Sequence, residues 1–156
     1  MSRRLTTTAV LAAAMAVGSI AHAELSRGVI AAFHGQLVIS DGDLPEGKND
    51  RDTIAKIKAA RLTTLTGTAS ADVTYWHFHY TAFPSRTGAT TLKLQFLSDK
   101  RLSADQRLDG VDPKSSALTG DISISEDEGL TKGKTYTVQL VTDKDQVVCS
   151  TTLTMK

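Results

Sequence analysis

Six stretches of the chain alternate apolar and polar residues with a period of two, the signature of a strand with one face buried. "FHGQLVIS" puts Phe33, Leu37 and Ile39 on one face and His34, Gln36 and Val38 on the other. "VTYWHFHYTAF" puts Trp76, Phe78, Tyr80 and Ala82 on one face, and "TTLKLQFLSD" sets Leu92, Leu94 and Phe96 against Thr91, Lys93 and Gln95. "GDISISED" sets Ile122 and Ile124 against Ser123 and Ser125. "TYTVQLVTD" and "QVVCSTTLTMK" close the series, with Tyr136, Val138 and Leu140, then Cys149, Leu153 and Met155, on the apolar sides. "RLTTLTGT", from Arg61 to Thr68, is a seventh candidate, rich in β-favouring threonine.

Turn-forming residues separate these runs, in "SDGDLPEGKND", "TASAD", "PSRTGA" and "LTKGK". The short "DKD" link, Asp143 to Asp145, suits an antiparallel hairpin between the last two strands. Only one segment has helical spacing: "NDRDTIAKIKAARL" carries Ile54, Ile57, Ala60 and Arg61, with Asn49 to Asp52 able to cap its start. The run from Asp99 to Gly120 reads as a long polar connection, with a turn at Asp112-Pro113 and room for a helical turn between Ser103 and Leu108. The expectation is an all-β fold: an immunoglobulin-like antiparallel β-sandwich of six or seven strands with one short helix. The Cys–Trp–Cys signature of a true immunoglobulin domain is absent.

The first 23 residues change the picture from fold to destination. Arg3 and Arg4 precede an alanine-rich apolar run from Ala9 to Ile20, and "AHA" (Ala21 to Ala23) ends it. That is the layout of a secretory signal peptide cleaved after Ala23. The apolar run is shorter than the roughly 20 residues a membrane span needs. The expectation is therefore a bacterial protein exported by the Sec route to the periplasm or beyond. Residues 24–156 would form a single β-sandwich domain, with no transmembrane segment after cleavage. Cleavage removes two of the 18 basic residues and none of the 17 acidic ones, leaving a net charge of −1. A balanced surface of this kind lacks the basic footprint of a nucleic-acid binder. Cys149 is the single cysteine, so no internal disulfide forms, and its parity points it inward as a small core residue.

Candidate chemistry concentrates in "YWHFHY", residues 75 to 80. Trp76, Phe78 and Tyr80 are the largest apolar surface available and belong in the core. His77 and His79 then share the opposite, outward face, flanked by Tyr75 and Thr81. An H-x-H pair on a strand projects both imidazoles the same way and can hold copper or zinc. A third ligand is needed, and His34 supplies one if its strand lies alongside. Tyr75 with the imidazoles is the candidate ligand surface for a protein or glycan. "DGDLPEGKNDRD" offers Asp41, Asp43, Glu46, Asp50 and Asp52, but Pro45 and Glu46 break the spacing of a calcium loop, leaving an ordinary strand-to-helix turn. Glu126, Asp127 and Glu128 read as a solvated loop balanced by Lys132 and Lys134. No nucleophile elbow, zinc-protease helix or phosphate-binding glycine loop is present.

Small exported copper carriers are single sandwiches of this size. Their histidine at the mature N-terminus has no counterpart here, since Glu24 follows the cleavage site, and Met155 is the only methionine after it. The sequence thus points to an exported, non-enzymatic β-sandwich acting as a binding or envelope-associated module, with no cofactor and a protein or glycan partner. The alternative is a periplasmic copper- or zinc-binding protein using His77, His79 and His34.

Overall fold

Alternation along so many short runs demands two apolar sheet faces to cover one another, and the chain forms them. The computed structural model describes residues 24–84 and 88–156. The segment read as a signal peptide lies outside the described residues, as does part of the "PSRTGA" turn. The elements run α1 (Arg27–Ala32), β1 (Leu37–Ser40), α2 (Asp50–Ala60), β2 (Thr64–Leu65), β3 (Thr68–Ser70), β4 (Val73–Ala82), β5 (Thr91–Ser98), β6 (Arg101–Asp109), β7 (Leu118–Ser125), β8 (Thr135–Thr142) and β9 (Val147–Met155). One sheet is built on β4: β1 and β3 share one of its edges, and β7 runs along the other. The second sheet has the order β2-β9-β8-β5-β6. Neighbouring strands are antiparallel except β2, which runs parallel to β9. The all-β sandwich expected from the alternation is the fold.

Between the sheets lies one continuous core. Trp76, Phe78, Tyr80 and Ala82 from β4 meet Leu92, Leu94 and Phe96 from β5 and Tyr136, Val138 and Leu140 from β8, as their parity requires. Phe96 makes edge-to-face contacts with Phe78 and Tyr136, at centroid distances of 6.4 and 6.5 Å. Polar tips in this core are satisfied: the Trp76 indole donates to the Lys156 carbonyl at 3.1 Å, and the Tyr136 hydroxyl accepts from the Thr131 amide at 2.8 Å. Cys149 is inside, 1 % exposed, and burial pushes its thiol up to about 12, so it stays protonated.

Four features depart from the sequence reading. The polar run after Asp99 is not a loop but a hairpin into β6, paired with β5 from Thr91↔Asp109 to Ser98↔Arg101. Asp99 and Lys100 both take positive φ (50° and 65°), the two-residue hairpin turn that usually calls for Asn or Gly. As an edge strand, β6 buries only Ala104 fully and leaves Leu102 54 % exposed, so little alternation marks it. The Arg61–Thr68 run splits: β2 joins the five-stranded sheet and β3 the other, with the crossing at Gly67. A Cβ there would run into Thr74 and the Trp76 indole, which is why the switch between sheets needs glycine. "FHGQLVIS" is a strand only from Leu37; Phe33 ends helix α1, which the alternation gave no hint of. Finally, Val38 does not face water: it is fully buried on the outside of the sheet.

That outer burial comes from the helices. Val29 and Phe33 of α1, Ile57 of α2, Val38 and Phe83 form a second apolar cluster against the outer face of the β1–β4 pair. The Phe33 and Phe83 rings stack at 5.3 Å. Helix α2 starts where the sequence placed it, with the Asn49 side chain accepting from the Asp52 amide at 3.0 Å. At its far end, Arg61 donates to Gln36 (3.0 Å) and Thr151 (2.9 Å), fastening it to the second sheet.

Candidate functional site

Strand β4 sends Tyr75, His77, His79 and Thr81 to its outer face, opposite the core. Register sets their neighbours: Tyr75 lies across from Ser125, His77 from Ser123, and His79 between Asp121 of β7 and Ser40 of β1. The two helices roof only the upper half of this face. Thr81 and Phe83 are fully buried and His79 is 5 % exposed, whereas His77 is exposed and Tyr75 is 37 % exposed. The expectation that both histidines face water therefore fails at His79. Its face was read correctly; what flanks its ring, Asp121 of β7 and Asp43 of the loop after β1, was not encoded in the strand.

His79 is flanked by carboxylates on both ring nitrogens. Nδ1 lies 3.0 Å from Asp121 Oδ1, and because a carboxylate can only accept, Nδ1–H is the donor. Nε2 points toward Asp43 Oδ1 at 3.7 Å, too far for a hydrogen bond, and has no hydrogen-bond partner. Asp43 belongs to the loop after β1, which begins with a turn closed by the Ser40 hydroxyl donating to the Gly42 carbonyl at 2.7 Å. Two stretches weighed separately in the sequence, "YWHFHY" and "DGDLPEGKND", thus meet at one ring. Two acids at the helix start do other work. Asp52 accepts from the Lys48 amide, which with Lys56 holds its carboxyl below the usual range, and Asp50 accepts from Ser26 at the start of α1.

Below His79 the roof ends in a cleft of about 240 Å³, lined by Asp41, His77, Phe78, His79, Asp121, Ile122 and Ser123. Its ionisable lining is carboxylate and imidazole, without lysine or arginine, so it suits a cation or a hydrogen-bond donor. His34 does not join it. It lies in the turn between α1 and β1, next to Gly35, whose amide bonds the Phe83 carbonyl. Phe83 is four residues beyond His79, roughly 13 Å along an extended strand. The three-histidine cluster is not formed, and among the described residues no three His, Cys, Asp or Glu side chains are already gathered to hold a metal.

Comparison with protein families, curated proteins and solved structures finds no match to this chain. Its function has to be read from this geometry. Among the described residues no helix is long and apolar enough to cross a membrane.

Asp121 is the residue the sequence reading missed, and Asp43 was weighed there only as part of a calcium loop. The alternation of "GDISIS" already put Asp121 on the outward side with Ser123, but only the β4–β7 register brings it opposite His79. A signal for the roof was also present: Phe83 shares the parity of His79, and a phenylalanine there argues against a wet face. The acidic run 126–128 is likewise not merely solvated. Glu126 accepts from the Thr74 amide at 2.9 Å, and Glu128 accepts from the Ser125 amide at 2.8 Å, closing a capping box.

Proposed function

We propose that this protein is an exported, non-enzymatic binding module of immunoglobulin-like connectivity, and that its binding face is the unroofed half of the outer β4–β7 surface. The observation that carries the reading is that half-covered face: the helices pack over Val38 and Phe83, His79 is buried, and Tyr75, His77 and the adjoining acidic cleft are left exposed. A concave patch with a few convergent polar groups and an exposed aromatic beside it shares features with recognition surfaces. The immunoglobulin-like assignment is supported by strand order, by the parallel β2–β9 pair, and by Tyr136 near the start of β8 reaching back to the Thr131 amide, as in a tyrosine corner. Export is supported by the basic, apolar and small-residue layout of residues 1–23.

The partner is a protein or glycan of the cell envelope. A photo-crosslinking side chain at position 75 should give one specific adduct in native envelope, while the same group at Thr152, on the five-stranded sheet, should give none. Equal or absent labelling at the two positions would refute this assignment of the face.

A further inference from the structure

We propose that a divalent transition-metal ion, zinc being the natural probe, binds at the edge of the cleft between His79 Nε2 and Asp43, its two placed ligands. Asp121 is the carboxylate that orients the ring, and exposed His77 or Asp41 completes the set. The proposal deepens the binding-face reading and rests on it, since it names what the upper end of that face holds.

A buried imidazole whose Nδ1–H is committed to a carboxylate presents a lone pair at Nε2. Here that lone pair faces a second carboxylate, which has no proton to offer, and nothing in the fold satisfies it. A proton on Nε2 would turn the 3.7 Å contact into an ion pair with Asp43, short of a hydrogen bond at this spacing. A metal ion does close it. With metal–donor distances of about 2.1 Å, two tetrahedral ligands stand about 3.4 Å apart. Asp43 needs to move only a few tenths of an ångström to meet that spacing, and its side chain is 65 % exposed on a loop. The carboxylate–histidine pair on the far side of the ring is the arrangement that fixes the tautomer and raises ligand basicity in metal sites. Asp41 and His77 are exposed and line the same cleft, so a third donor arrives by rotating a surface side chain. The donor set is one nitrogen, one oxygen and a further nitrogen or oxygen, which suits zinc and similar divalent ions over calcium. His34, at the far end of β1, takes no part.

Calorimetric titration of residues 24–156 with zinc should show one site with Kd below about 10 μM. Asp43→Asn, at an exposed position, should abolish it while leaving the circular dichroism spectrum unchanged. His79→Gln should abolish it as well, and Asp121→Asn should weaken it about 10–100-fold. His34→Ala should leave it unchanged. Absence of zinc binding, or binding that survives Asp43→Asn, overturns the metal proposal. So does loss of binding in His34→Ala. Crosslinking from position 75 is read separately in metal-free protein, so a silent titration with retained crosslinks removes the metal and leaves the binding face standing.

Discussion

Trp76, Phe78 and Tyr80 face one way from β4, and Tyr75, His77 and His79 face the other, although all six come from one unbroken stretch. On the inner face, side-chain type and burial agree: three aromatic rings, each 6 % exposed or less. On the outer face they part. His77 and His79 have the same side chain, parity and strand, yet one is open to water and the other is 5 % exposed. Parity decides which face a residue joins. What covers that face is decided by contacts from distant segments, here α1, α2 and the loop carrying Asp43.

The comparison breaks first, and hardest, through its apolar residues. Trp76→Ala on the inner face should cost about 3–5 kcal/mol in urea denaturation, and Phe83→Ala on the outer face should cost about the same. A near-neutral Phe83→Ala would mean that the helices are no true roof. Ile57→Ala, which removes the contact of α2 with that cluster, should cost about 2–5 kcal/mol. The histidines come next. His79→Ala should cost about 1–3 kcal/mol by removing a buried ring and its hydrogen bond to Asp121, whose exposed carboxylate stays solvated. His77→Ala should stay within about 0.5 kcal/mol.

Acid should loosen the lower end of the face by the smallest margin. Hydrogen bonds from the Thr74 side chain and backbone, helped by Lys132, hold the Glu126 carboxyl below its ordinary 4.5. A carboxyl depressed in the folded state adds stability that is complete above its unfolded value and is lost as pH falls through the folded one. Urea midpoints measured from pH 6 down to pH 3 should therefore fall, and Glu126→Gln should remove part of that slope. An unchanged slope would show that Glu126 does not anchor the start of β4.

Legibility in the sequence followed the same division. The strands that build the core were readable because each alternates and each buries one side, and α2 was readable because Asn49 caps a run with helical spacing. Strand β6 was not, because an edge strand with polar residues on both faces has no alternation, and its turn uses Asp99-Lys100 in place of Asn-Gly. Helix α1 has six residues, too few to display a period. In the site, "YWHFHY" was recognisable as the place to look, but the true neighbours of His79 are set by register and loop closure. Asp43 is 36 residues from it and Asp121 is 42. The same long-range closure removed His34, whose strand parity was irrelevant once the chain turned helical before Leu37.

The claim at the centre of this account is that two histidines of identical parity differ because one half of the sheet face is roofed. Carbethoxylation of the folded protein, read residue by residue by mass spectrometry, tests it directly. His77 should be modified rapidly, while His79 stays protected until the protein is unfolded in urea. Modification of His77 and His79 at equal rates in the folded protein would contradict the account, and with it the site built around His79.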